Sequence, residues 1–202
     1  MGNADLKKLK ILEAATRRFA HFGMAKTTMS EIAKDLSFSK ALLYYYFPDK
    51  NALYSAVFEY VIDKMVSECE DMLTGTVDYE EAMMFVLDKR IQLINQYYNL
   101  FEYTVSIINE LPQEIERVFK DCFLKEIELF GSILTIGIKQ GQLQVDNVEE
   151  TSKIFLYSLS GMRMGMLKDM KSIFLPTKEE FDIILQLQKK MCKIFLNGLR
   201  KA

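Results

Sequence analysis

Three helix-start signals crowd into the first fifty residues and leave that stretch little conformational freedom. Thr28-Met29-Ser30-Glu31 is a capping-box pattern, in which a threonine hydroxyl and a glutamate carboxylate satisfy each other's backbone amides. Ser39 stands before Lys40 and Asp49 before Lys50, each a residue type whose side-chain oxygen accepts from first-turn amides. Pro48 stops the segment ahead of it. The spacing therefore predicts a helix that carries Ile32, Ala33 and Leu36 inward, a break at Ser37-Phe38-Ser39, and a short helix from Lys40 to about Tyr46. A long helix follows, with Leu53, Val57, Tyr60, Val61, Met65 and Met72 as its apolar positions to about Leu73. In front of all three, Ile11, Ala14, Ala15 and Phe19 recur at helical spacing until Gly23, which can close that helix as a left-handed residue.

Two short helices joined by a three-residue turn, with a longer helix before them, are the parts of a helix-turn-helix unit. Beyond Gly75 the pattern stays helical over about 79–97, 100–110, 113–139, 148–170 and 178–200. Its breaks fall at Pro112, Gly141 and Pro176. The expectation is an all-α chain of about nine helices, divided into residues 1–49 and 50–202, with no internal repeat.

Charge is split along this division. The chain as a whole carries −2, which argues weakly against a nucleic-acid partner, but residues 1–50 hold nine Lys and Arg against five Asp and Glu. The remaining 152 residues hold seventeen against twenty-three, so a basic head sits on an acidic body. Cys69, Cys122 and Cys192 are far apart and lie in helical periodicity, without the paired spacing of a zinc site or a disulfide framework. Free thiols, no signal peptide and no run of eighteen apolar residues give the expectation of a cytoplasmic protein that does not enter a membrane. The one histidine, His21, reads as a helix-surface residue, and no phosphate loop, nucleophile elbow or metal-ligand cluster is present in the sequence. The expectation is thus no catalytic residue, no metal and no cofactor.

Lys40 and Lys50 sit at the first positions of their helices, where the dipole is already positive and each costs about 0.3–1 kcal/mol if the helix is isolated. A phosphate bound at the helix start reverses that sign, and the DNA backbone is the natural source. Tyr44-Tyr45-Tyr46-Phe47 adds to this, because four consecutive helical residues cannot all face one core. Leu43 and Phe47 make the sensible buried pair, leaving Tyr44 and Tyr45 outward as hydroxyl donors.

Ala15, Phe19 and Gly23, then Thr27-Thr28-Met29-Ser30-Glu31-Ile32-Ala33, then Ser39-Lys40, Leu43-Tyr44-Tyr45-Tyr46-Phe47, Lys50 and Leu53 run in one register over the first quarter of the chain. In that order they closely resemble the DNA-binding domain of the tetracycline-repressor (TetR) family. The resemblance implies that the helix from Lys40 is the recognition helix in the major groove of double-stranded DNA. It also implies that Thr28, Ser39, Lys40, Ala41, Leu42, Tyr44, Tyr45 and Lys50 occupy DNA-facing positions. Two departures stand out. The turn usually written Ala-Gly-Val reads Leu36-Ser37-Phe38, which strains Ser37 if its φ is positive. Ala41-Leu42 gives the recognition helix little hydrogen-bonding capacity toward bases, so thymine methyls, Tyr44 and DNA shape must carry more of the readout.

For the C-terminal body the resemblance implies ligand binding and a homodimer built on the last two helices. Gly161, Gly165, Ile184, Gln188, Met191 and Phe195 are the candidate interface residues. Met65, Phe85, Tyr98, Phe101, Phe123, Tyr157 and Met162 are the candidate pocket residues for an unknown small, largely apolar effector, with Glu102 and Glu110 as polar contacts if buried. The function implied is a ligand-responsive regulator, a repressor released from a palindromic operator. The rival reading is a helical ligand-binding or scaffold protein whose helix-turn-helix serves protein contact.

Overall fold

The computed structural model describes residues 3–101, 112–170 and 176–201. Among these, regular structure is helical throughout, apart from one isolated bridge between Leu143 and Arg200. The helices are α1 (Asn3–Lys26), α2 (Met29–Asp35), α3 (Lys40–Tyr46), α4 (Lys50–Met72), α5 (Tyr79–Gln96), α6 (Gln113–Lys139), α7 (Val148–Asp169) and α8 (Lys178–Gly198). Residues 98–101 are helical as well. The rest of the helix expected over 100–110, with Glu102, Tyr103 and Glu110, lies outside the described residues.

The expected caps are in place. Thr28 and Glu31 form the reciprocal capping box of α2, the Ser39 hydroxyl accepts from Leu42 N at 3.1 Å, and Asp49 Oδ1 accepts from Ala52 N at 2.8 Å. Gly23 has φ 74°, as a left-handed closing residue requires, and breaks α1 into a long arm and a last turn that ends at Lys26.

The contacts divide the chain into two compact units. Met1–Lys64 with Gln96–Cys122 make the first, and Met65–Asn95 with Phe123–Ala202 make the second. The expected division at 49/50 thus falls inside the first unit. The physical reason is packing of segment 96–122 on the N-terminal helices. Asn99 donates its side-chain amide to Ala20 O at 2.8 Å, Tyr54 OH donates to Leu100 O, and Phe58 stacks on Phe119 at 4.2 Å between ring centres. The core of this unit also buries Ile11, Ala15, Phe19, Ile32, Leu43 and Leu53 completely. Phe19 meets Tyr54 edge-on at 5.5 Å.

In the second unit α7 packs on α8, and Phe155 lies between Phe130 and Phe195 at 5.1 and 4.9 Å. Gly137 on α6 is required for packing, because a Cβ there would fall 2.6 Å from Leu143 Cδ1 and 3.0 Å from Tyr79 Cγ. α6 ends in a Schellman motif: Gly141 N donates to Ile138 O and Gln142 N to Gly137 O, with Gly141 at φ 73°. The C-terminal residues are then pinned by Gln144 N to Leu199 O at 2.8 Å and by Arg200 to Glu80 at 2.7 Å.

Candidate functional site

α2 and α3 are short, and what fixes them is mostly side chain. Arg18 on α1 grips Asp35 at the end of α2 with two hydrogen bonds, Nε to Oδ2 at 2.5 Å and Nη2 to Oδ1 at 2.9 Å. Its Nη1 lies 3.5 Å from Glu31. This clamp and the Thr28 hydrogen bonds hold the carboxyls of Asp35 and Glu31 below the usual carboxylate range: the Arg18 hydrogen bond leads for Asp35, and the Thr28 bonds lead for Glu31. Sequence reading missed Arg18, because a pair seventeen residues apart leaves no mark on helical periodicity.

The turn between α2 and α3 is a second Schellman motif. Ser37 N donates to Lys34 O at 3.1 Å and Phe38 N to Ala33 O at 2.9 Å, and the left-handed position is occupied by Ser37 at φ 54°. The strain expected for a non-glycine residue there is therefore present.

α3 turns Leu43 inward, fully buried, with Phe47 4% exposed beside the helix end. Opposite them Lys40, Ala41, Tyr44 and Tyr45 are exposed, Tyr45 at 81%. Lys40 Nζ sits 5.7 Å from the centre of the Tyr44 ring, so a cation and a phenol hydroxyl share one face. Leu42 is half-buried, and the Ser39 hydroxyl is engaged as the cap. Thr28 is exposed, but its hydroxyl donates to Glu31 Oε2 at 2.7 Å and accepts from Glu31 N at 3.3 Å.

Lys50 departs from its expected role as an open phosphate contact. Its ammonium is turned back into the protein, donating to Met24 O at 3.0 Å and to Thr27 O at 3.2 Å. These carbonyls lie in the last turn of α1 and just past its end, so the cost of a cation at the start of α4 is offset by acceptors at the negative end of α1.

The residues expected to form one effector pocket are drawn from both units. Phe101 is buried in the first unit, edge-on to Phe58 at 5.3 Å, where Tyr98 is half-buried. In the second unit Met65 is buried, Phe85 and Met162 are half-buried, and Phe123 rests on Tyr157 at 5.0 Å between ring centres. Tyr157 is 57% exposed, because α7 turns Ser152, Phe155, Leu156 and Leu159 inward and residue 157 falls on the other side. Two grooves of about 490 and 510 Å³ lie on the second unit, one over Leu73, Gly131 and Thr135, the other over Asn147, Ile154 and Leu199. None of the seven expected pocket residues lines either groove.

The expected interface residues split as well. Gly161 and Gly165 are exposed, with open space where a Cβ would stand. Ile184 and Gln188 instead face the core of their own chain, where Gln188 Nε2 donates to Leu159 O at 2.8 Å. Phe195 packs on Phe155, and Met191 is half-buried. The exposed apolar side chains of α8 are Ile183, Leu187 and Ile194, and those of α7 are Ile154, Tyr157 and Met164. The expected stripe on α8 leaves out the second apolar set; the recurrence of 183, 187 and 194 on its own face is the signal that marks it.

Among the described residues no group of His, Cys, Asp and Glu could hold a metal ion, and no helix is long and apolar enough to cross a membrane. The family model for "Bacterial regulatory proteins, tetR family" matches residues 11–57, the segment that holds the Arg18 clamp, the capping box and α3. An HTH-type transcriptional regulator of Bacillus subtilis, YhgD, is 29% identical over 159 residues, covering 75% of this chain and 79% of that protein. The crystal structure of a transcriptional regulator from Cytophaga hutchinsonii is 29% identical and superposes with a TM-score of 0.83 over 96% of this chain and 99% of that one. The regulator FadR of Bacillus subtilis, in complex with stearoyl-CoA, has the same fold at 18% identity, with a TM-score of 0.70 over 95% of this chain and 98% of its own. With that helix-turn-helix at its head and those relatives along its length, residues 11–57 match the DNA-binding domain of the tetR family of bacterial regulatory proteins, and the chain as a whole is similar to transcriptional regulators of that fold.

Proposed function

We propose that this regulator is a repressor that binds a palindromic operator as a homodimer and is released by a small, largely apolar effector. The observation that carries the reading is α3, which buries Leu43 and leaves Lys40, Ala41, Tyr44 and Tyr45 exposed on one basic, aromatic face. Lys40 supplies charge to phosphate, the tyrosine hydroxyls supply donors, and Ala41 offers a methyl to thymine. Residues 1–49 serve the DNA, while residues 50–202 serve the effector and the second copy. The exposed Ile154, Tyr157, Met164, Ile183, Leu187 and Ile194, with Gly161 and Gly165 among them, support self-association through α7 and α8. Two recognition helices set one DNA turn apart would then read two half-sites.

A small effector is supported by FadR, a protein of the same fold that binds stearoyl-CoA. The effector favours the conformation in which the recognition helices are wrongly spaced, and the population shifts off DNA. α4 is the lever in this reading, since one continuous helix carries Lys50 at its start and Met65 and Met72 toward its end.

Enrichment of fragmented genomic DNA on the purified protein tests the reading, with Lys40→Ala/Tyr44→Ala as the comparison. A palindromic site enriched by the wild type and lost in the double variant is expected. No enrichment at low salt by effector-stripped protein would overturn it.

A further inference from the structure

We propose that Lys50 is a positioning residue for DNA binding, which ties the start of α4 to carbonyls at the C-terminal end of α1 and makes no phosphate contact of its own. The inference rests on the DNA-binding reading and assigns one of its expected contacts a different task. Lys50 is half-buried, and two of its three N–H groups are committed at 3.0 and 3.2 Å to Met24 O and Thr27 O. Both acceptor residues are themselves buried, Thr27 completely and Met24 to 3% exposure.

The segment that Lys50 grips is one that the backbone alone leaves loosely tied. Gly23 at φ 74° interrupts the ladder of α1, and Thr27 N reaches Met24 O only across 3.4 Å. The Thr27 hydroxyl closes one gap by donating to Gly23 O at 2.8 Å. Lys50 closes the next, bridging a carbonyl in the last turn of α1 and the one just past its end. α2 begins at Met29, immediately beyond Thr27, so this bridge sets where α2 and then α3 start relative to α4.

Lys40 offers the contrast that makes the assignment. It stands exposed on the outer face of α3, its ammonium over the Tyr44 ring, and no carbonyl pair among the described residues holds it. A lysine that contacts phosphate releases counterions and steepens the salt dependence of binding, whereas a lysine that holds a loop changes affinity without changing that slope.

The experiment measures duplex affinity against salt for the wild type, Lys50→Met and Lys50→Arg, on the site enriched from genomic DNA and at a temperature well below unfolding. The expected result is a Lys50→Met line about tenfold weaker and parallel to wild type, with Lys50→Arg returning to within about threefold because a guanidinium can bridge the same carbonyls. A role confined to stability would lower the melting temperature and leave the affinity of the folded protein unchanged, which would overturn the proposal. So would a slope reduced by about 0.9, the signature of one lost phosphate contact.

If Lys50→Met does not fold, the wild-type ammonium itself gives the answer through its ¹⁵N resonance. An unchanged Lys50 signal on adding duplex supports the positioning role, and a shift on binding overturns it. A wild type that binds no duplex at any salt overturns the DNA reading and this inference with it, and is told apart from the other outcomes by that alone.

Discussion

Arg90 on α5 and Glu126 on α6 form an ion pair inside the second unit, the arginine Nε donating to Glu126 Oε2, with both residues more than nine-tenths buried. Two charges removed from water cost several kcal/mol each, and only their mutual attraction and hydrogen bonding return it. Glu126→Leu leaves the guanidinium buried without its partner and is expected to destabilise by about 3–5 kcal/mol. Arg90→Met together with Glu126→Leu is expected to lie close to wild type or above it. Urea unfolding midpoints of the two single variants and the double check this, and additivity of the singles would refute it.

Ser37 predicts the opposite direction. Its φ of 54° sits in a motif that the same chain builds with glycine at Gly141, at φ 73° and with the same hydrogen-bond pattern. A non-glycine residue in the left-handed region costs about 1–2 kcal/mol, and glycine returns roughly half of that gain through its freer unfolded chain. Ser37→Gly is therefore expected to raise stability by about 0.5–1 kcal/mol. Thermal unfolding measures it, and a lower melting temperature would show that the serine contributes something the backbone does not record.

That strain was legible in the sequence, as were the caps at Thr28, Ser39 and Asp49 and the inward Leu43 and Phe47, because each depends on residues within four positions of one another. The helix bounds of α6 follow from Pro112 and Gly141 for the same reason. What the sequence did not carry is long-range pairing. Nothing in the periodicity of α1 marks Arg18 as the partner of Asp35, or Ala20 as the acceptor for Asn99. Lys50 was read as reaching outward because the rule for a helix start considers only its own helix, whereas the neighbouring carbonyls of Met24 and Thr27 decide its direction. Likewise α8 is apolar on two sides, and composition alone does not say which side its own core takes.

The cysteines give a prediction in pH. Burial pushes the thiols of Cys69 and Cys192 up to about 12, with full burial of both side chains, and Cys122 is buried as well. The thiolate is the reactive form, so a thiol reagent at pH 8 is expected to label none of the three in the native protein and all three in denaturant. The linkage has a definite sign. A thiol whose folded pKa is raised keeps its proton in the native state while the unfolded chain ionises above about 8.5. Stability should therefore fall as pH rises from that value toward 12, and Cys69→Ala/Cys192→Ala should show a shallower fall. Rapid native labelling at pH 8 would contradict the burial.

Ile184 and Ile194 lie on different faces of α8, one fully buried and the other 74% exposed, and they separate folding from self-association. Ile184→Ala removes side-chain carbon from the protomer core and is expected to cost about 2–5 kcal/mol of unfolding stability. Ile194→Glu removes no core contact, so its thermal unfolding as a monomer should match that of wild type held monomeric by dilution. If α7 and α8 meet a second copy, each apolar side chain covered there contributes about 1.5–3 kcal/mol, and a buried unpaired carboxylate reverses that gain. Sedimentation equilibrium should then show Ile194→Glu as a monomer at concentrations where wild type is a dimer, and Leu187→Glu should behave alike. A dimer undisturbed by either change would move the interface off this face and leave the exposed isoleucines to another partner.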